Sequence, residues 1–183
     1  MYAGVYAADL CRMPKFESVL QSYLNELAID YGALHSRSID DDDDDTSLVA
    51  PKGTSRLQSR LFEIAARLAS VSEKLLLKAL PTLCGNLTNP KVEIRGPVIQ
   101  FVGELFSAEG TTLPVLFSTT FRQWLERFQD REAEVRKMML EAATAILYNQ
   151  RNPAVVDPVV RCVNAKLSDP DREVRILPCT KIT

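Results

Sequence analysis

The sequence predicts an all-α protein, a helical-repeat solenoid of antiparallel helix pairs with a disordered acidic loop near its N-terminus. Three observations carry that prediction. Apolar residues recur at three- and four-residue spacing along nearly all of the chain outside residues 32–54, the signature of amphipathic helices. Asn-Pro and Asp-Pro pairs punctuate those helices at Asn89-Pro90, Asn152-Pro153 and Asp169-Pro170. One turn pattern also repeats: Asn89, Asp130 and Asp169, spaced by 41 and 39 residues, are each followed six residues later by an arginine, Arg95, Arg136 or Arg175. The expected organisation is N-terminal helices over 1–31, the acidic loop over 32–54 and repeats over 55–183, the last incomplete.

Residues 1–12 are apolar and alanine-rich enough for a short helix, which Met13-Pro14 ends, because proline disfavours helical geometry in its predecessor. Lys15 to Tyr31 is amphipathic, with Phe16, Val19, Leu20, Tyr23, Leu24, Leu27 and Tyr31 on one face. From Gly32 to Thr54 the run Asp40–Asp45, with serines, a proline and a glycine around it, supplies like-charge repulsion and little apolar area, so the segment reads as a solvated spacer. Ser55 and Gln58 form a capping-box pair ahead of a helix to about Ala69, striped by Leu57, Leu61, Ile64, Ala65 and Leu68. After a break at Ser70–Ser72, Glu73 to Leu87 reads as one helix kinked at Pro81. Lys91 to Phe106 follows, its first turns disturbed by Gly96-Pro97, and then a loop over Ser107–Leu113. Phe121 to Leu147 reads as two uninterrupted helices, with Asp130 in the turn between them accepting from free amides at the start of the second. Val155 to Leu167 is a further helix, and the last one, carrying Arg175, is interrupted by Pro178.

Composition narrows the chemistry. Twenty-two basic and 24 acidic residues give a net charge of -2, which argues against a global affinity for nucleic acid or a membrane surface. No stretch approaches 18 apolar residues and no signal-peptide pattern opens the chain, so a soluble, intracellular protein is expected. The four cysteines, Cys11, Cys84, Cys162 and Cys179, contain no CxxC pair and are read as reduced and packed; the single histidine is His35. No phosphate-binding glycine loop, nucleophile elbow or metal-ligand cluster is present, so no enzyme activity, metal or cofactor is expected. Glu132, Glu134 and Glu141 read as a solvated helix face, with Glu132 placed four residues before Arg136.

In each repeat an aliphatic residue precedes the arginine (Ile94, Val135, Val174), and an apolar one stands two before the turn residue (Leu87, Phe128, Leu167). This helix-turn-helix period resembles the HEAT class of repeats, in which stacked hairpins bury a continuous core. Asn89, Arg95, Asp130, Arg136, Asp169 and Arg175 are therefore read as a structural ladder of charge-assisted hydrogen bonds between repeats.

Two runs are more specific. LFEIAARLASVSEKLLLKALPTLCGNLTNPKVEIRGPVIQFVGELF, from Leu61 to Phe106, and FRQWLERFQDREAEVRKMMLEAATAIL, from Phe121 to Leu147, resemble the Pds (precocious dissociation of sisters) family of cohesin-associated sister-chromatid cohesion factors. The features that carry the resemblance are Leu75–Leu77 with Pro81 and Leu83, then Trp124, Leu125, Arg127, Phe128 and Asp130, then Val135-Arg136. It covers roughly residues 57 to 177; Gly96-Pro97 departs from the family's uninterrupted second helix, and Asp40–Asp45 has no counterpart. The resemblance implies a non-enzymatic regulator of cohesion on chromatin in the nucleus, contacting the cohesin kleisin subunit and release or establishment factors. The residues alone specify only a protein-binding array, which leaves a nuclear transport receptor or phosphatase scaffold as the alternative. Direct DNA binding through Arg122, Arg127, Arg131, Arg136 and Lys137 is a weaker reading, because Glu126, Glu132 and Glu134 are interspersed. The family's proteins are far longer, and this chain stops eight residues after Arg175, so a fragment or incomplete gene product is expected, poorly soluble or partner-dependent when alone.

Overall fold

The computed structural model describes residues 14–36, 61–71, 73–76 and 79–181. The expected helix over 1–12, the Asp40–Asp45 run and the Ser55/Gln58 cap lie outside them. Every regular element among the described residues is helical. The chain divides into two compact units, residues 1–83 and 84–183.

In the first unit, α1 (Pro14–Ser36) packs against α2 (Leu61–Val71) and a 3₁₀ turn at Glu73–Leu76, with α3 (Ala79–Cys84) following. Leu24, Leu27, Ala28, Leu61, Ala65, Leu76 and Leu80 are buried. Polar contacts help to fix α1. Gln21 Nε2 donates to the Lys74 carbonyl at 2.7 Å, and the Thr82 hydroxyl donates to Asn25 Oδ1 at 2.6 Å. The buried face is rotated from the expected one: Val19 and Tyr23 are exposed and Gln21 is buried, because burying Gln21 satisfies a carbonyl of the 3₁₀ turn that apolar groups cannot. α1 also runs past Tyr31 to Ser36, since Ala33 and Leu34 are strong helix formers beyond the single Gly32.

Two further boundaries differ. α2 continues through Ser70 to Val71 rather than breaking there. Glu73–Leu87 is not one kinked helix but three pieces, Glu73–Leu76, Ala79–Cys84 and a 3₁₀ turn at Gly85–Thr88. Pro81 lies in the first turn of α3, where proline removes little hydrogen bonding, so it starts a short helix instead of kinking a long one.

The second unit is the repeat array. Its elements are α4 (Val92–Ser107), a short α5 (Leu113–Leu116), α6 (Ser118–Glu126), α7 (Ala133–Asn149), α8 (Pro153–Ala165) and α9 (Arg172–Lys181). α7 packs against α4 on one side and α9 on the other, so the helices that follow the turns form the inner row. Trp124, Phe128, Phe106, Ile94, Ile99, Val135, Met139 and Val174 make the core. Phe106 lies edge-on to Phe121 and Trp124, with ring centroids 5.5 and 6.3 Å away. The Trp124 indole N–H donates to the Ile99 carbonyl at 3.0 Å, which removes the penalty of burying it.

Three prolines sit inside helices without breaking them. α4 is continuous through Pro97, α8 through Pro158 and α9 through Pro178, contrary to the disturbance expected at Pro97 and the break expected at Pro178. Each removes one intrahelical donor, and tertiary packing outweighs that loss; Pro178 is itself buried. Gly96 has a different role from the one its helix propensity suggests. A Cβ there would meet Met138 Sδ at 3.3 Å, and a Cβ on Gly103 would meet the Cβ of Ala142 at 2.7 Å. The two glycines, seven residues apart on one face of α4, let α7 approach closely. The loop after α4 contains Gly110 at φ 73, a left-handed conformation suited to glycine, before α5, which the sequence reading left out. α8 begins at Pro153 rather than Val155, with Asn152 Oδ1 accepting from the Ala154 N–H.

Candidate functional site along the turns

The three turns of the second unit share one construction. A helix tightens into a 3₁₀ segment (Gly85–Thr88, Arg127–Gln129, Lys166–Ser168), and the turn residue leaves it in extended geometry. The N–H of Asn89, Asp130 and Asp169 donates to the carbonyl three residues back, at 3.1, 3.0 and 3.1 Å. Their side-chain Oδ1 then accepts the N–H two residues on, from Lys91, Glu132 and Asp171, each at 3.0 Å. Asp130 therefore closes the turn one step before α7 rather than capping the helix amides themselves, and Glu132 occupies the N-cap without a side-chain cap bond.

Arg95 and Arg136 each divide the guanidinium between two jobs. Arg95 Nη1 donates to the carbonyls of Asn89 and Pro90, at 3.0 and 2.8 Å, which ties α4 to its own turn. Its Nε and Nη2 grip the next turn's carboxylate bidentately, donating to Asp130 Oδ2 and Oδ1 at 3.0 and 2.8 Å. Arg136 repeats this with the Asp130 and Arg131 carbonyls and with Asp169, at 2.9 Å for both carboxylate bonds. Arg175 Nη1 holds the carbonyls of Asp169 and Pro170. Asn89 receives no arginine from a preceding turn among the described residues.

A second cation stands three residues before each aspartate. Lys166 Nζ donates to Asp169 Oδ2 at 3.0 Å from a nearly inaccessible position, and Arg127 Nη1 lies 3.4 Å from Asp130 Oδ2. Sequence reasoning missed these partners, although Arg127 and Lys166 occupy the same repeat position. Burial pushes both carboxyls up, but the hydrogen bonds and charges around them prevail. Asp130 is held below the usual carboxylate range by Arg95, the Glu132 N–H and Arg127, and Asp169 falls to about 2 through Arg136, the Asp171 N–H and Lys166. At the far end of α4, Gln150 Nε2 donates to the Phe106 and Ala108 carbonyls at 3.1 and 2.9 Å, closing a helix terminus that the sequence reading left open.

The remaining candidate residues have ordinary surroundings. Of the basic set Arg122, Arg127, Arg131, Arg136 and Lys137, Arg122 is exposed, Arg127 and Arg136 are on the ladder, and Lys137 is paired with Glu173. Arg131 contacts Glu132 and the Pro90 carbonyl, so Glu132 pairs with its neighbour and not with Arg136 four residues on. A shallow groove of about 350 Å³ beside the first two turns is lined by Thr88, Asn89, Pro90, Arg127, Gln129 and Arg131 among others. Cys84 and Cys162 are free thiols; burial pushes Cys84 up to about 12, which leaves it unreactive at neutral pH. Among the described residues no three His, Cys, Asp or Glu side chains are grouped to hold a metal. No helix among them is long and apolar enough to cross a membrane.

Helix pairs of this period, joined through matching turns and stacked side by side, define an all-α helical-repeat protein of the HEAT type. The family model described as Sister chromatid cohesion protein PDS5 matches residues 6–183. Sister chromatid cohesion protein PDS5 homolog A of Arabidopsis thaliana is 30% identical over 126 residues, covering 67% of this chain and 8% of that protein. The chain belongs to the PDS5 family, as the Leu61–Phe106 and Phe121–Leu147 runs led us to expect, and it spans under a tenth of the relative's length.

Proposed function

We propose that this chain serves, without catalysis of its own, as a protein-binding scaffold segment of a regulator of sister-chromatid cohesion, acting in the nucleus on chromatin-bound cohesin. The observation that carries this reading is the family match over residues 6–183, which includes the whole turn ladder. Arg95–Asp130 and Arg136–Asp169 serve to fix the pitch between repeats, and the rigid inner row of α4, α7 and α9 then offers an extended surface to a long partner segment. The partners we assign are the cohesin kleisin subunit and the release or establishment factors, with chromatin reached through them.

The test is retention of a purified kleisin fragment on the immobilised 183-residue chain, with a transport cargo and a phosphatase subunit in parallel. Retention of kleisin alone is expected. Retention of cargo or phosphatase without kleisin would overturn the proposal. Because Arg127, Arg136 and Lys137 already have acidic partners, binding to bare duplex DNA is expected to be absent at physiological salt in the same assay.

A further inference from the structure

The cation three residues before the turn is served differently in the second and third turn units. Lys166 Nζ has two side-chain acceptors, Asp169 Oδ2 at 3.0 Å and, from the preceding turn, Gln129 Oε1 at 3.4 Å. Arg127 has one, Asp130 Oδ2 at 3.4 Å, and Arg95 already grips that carboxylate at 2.8 and 3.0 Å. The residue that corresponds to Gln129 one unit earlier is Thr88, whose shorter side chain donates to the Gly85 carbonyl of its own turn. Among the described residues no acceptor from the first turn therefore reaches Arg127, and its buried Nε has no hydrogen-bond partner. The shallow groove beside these turns lies at the same place, with Thr88 and Arg127 both on its wall. Three guanidiniums, those of Arg95, Arg127 and Arg131, line it against one carboxylate, that of Asp130. Arg131 is steadied there by the Pro90 carbonyl and by Glu132.

We propose that this groove receives an acidic side chain, aspartate or glutamate, of a partner peptide, whose carboxylate completes the acceptor set of Arg127. Charge complementarity selects an anion, because the cations of the lining outnumber its single carboxylate. Shape selects a peptide side chain, since the groove is shallow and polar, whereas small molecules are normally sunk in largely apolar cavities. None of the described residues lining it is aromatic, so it offers no platform on which a base of a single-stranded nucleic acid could stack. The array itself shows the required contact: Arg95 and Arg136 each take a carboxylate across a turn in two-toothed geometry. Thr88 and Gln129 add neutral hydrogen-bonding groups for the main chain of such a peptide. The groove lies at the turns rather than along the helices of the inner row, so the inference stands without the cohesin reading, and a failed retention of kleisin leaves it untouched.

The test uses the whole 183-residue chain and two short synthetic peptides of glycine and serine, one carrying two adjacent glutamates and the other two glutamines in their place. Binding is followed by fluorescence anisotropy of the labelled peptide at fixed ionic strength, and by the Nε–H signal of Arg127 in isotope-edited NMR spectra. We expect saturable binding of the glutamate peptide that shifts the Arg127 signal, and no binding of the glutamine peptide. Thr88→Gln, at an exposed position, supplies from within the chain the acceptor that Gln129 supplies to Lys166; it should leave the fold intact and weaken the glutamate peptide about tenfold. Arg127→Gln should weaken it by a similar factor, whereas Lys137→Gln, which removes a cation paired with Glu173 outside the groove, should not. An Arg127 signal unmoved at about 1 mM glutamate peptide would overturn the proposal. Equal binding of the two peptides, or equal losses in Arg127→Gln and Lys137→Gln, would do the same, because the attraction would then be unspecific. Inorganic phosphate moving the Arg127 signal where the glutamate peptide does not would replace the carboxylate by a phosphate and overturn it as well.

Discussion

Asp169 shows how much one side chain can organise. Its two oxygens accept from Arg136 Nε, Arg136 Nη2, Lys166 Nζ and the Asp171 N–H, and it is 3% exposed. Removing it leaves two buried cations without their carboxylate, the situation in which breaking a desolvated pair is most destabilising. Asp169→Ala is expected to lower unfolding free energy by about 3–5 kcal/mol in urea titration. Arg136→Lys should recover only part of an Arg136→Ala loss, because an ammonium cannot reproduce the two-toothed grip. The sign of the acid response follows from the depressed carboxyl. The folded value near 2 lies below the unfolded one, so the stabilisation is complete above about pH 4 and disappears as pH falls through about 2. Scanning stability from pH 6 to 2 should show a loss on the order of 2 kcal/mol that Asp169→Asn lacks. The spacing of Asp130, Arg136, Asp169 and Arg175 was readable from the chain because the period is regular. Lys166 and Arg127 were not, since a basic residue three before a turn looks like any solvated helix end until the fold buries it.

At the scale of elements, α4 and α7 touch through glycine. Gly103 has no room for a methyl group, since its Cβ would stand 2.7 Å from that of Ala142, both on helices that cannot easily part. Gly103→Ala is therefore expected to be destabilising by about 1–3 kcal/mol despite its better helix propensity. Ala142→Gly in the same chain should relieve part of that loss, and a double-mutant cycle measures the coupling. Gly96→Ala faces the flexible Met138 at 3.3 Å and should be far milder. Apart from the short α5, helix existence and type were legible in this unit from periodicity alone. Helix endings were not: the 3₁₀ segments before each turn and the survival of α4 and α9 past Pro97 and Pro178 depend on packing that no local pattern encodes. Propensity ranked Gly96 as a defect because it scores a residue against solvent, whereas the neighbour there is another helix.

Across the second unit, stability is expected to be nearest-neighbour in character, as in other stacked repeats. Arg136→Ala should raise amide exchange in α8 and α9 several-fold while leaving α4 near its original rates, a contrast that mass spectrometry can read directly; uniform acceleration of all helices would show a single cooperative block instead. The repeat period and both turn-ladder pairs were visible in the sequence because each is carried by two residue types at a fixed distance. The exposure of Val160 and Leu167 was hidden, since valine and leucine there look like the buried residues of the earlier units. The ladder has one more consequence. In both rungs the guanidinium belongs to the earlier repeat and the carboxylate to the later one, so the connection is directional. A lesion in the aspartate strands a charge upstream of itself, and a lesion in the arginine strips a turn downstream. Two substitutions that break the same bond should thus loosen opposite neighbours, and the side that loosens identifies which half of the handshake was lost.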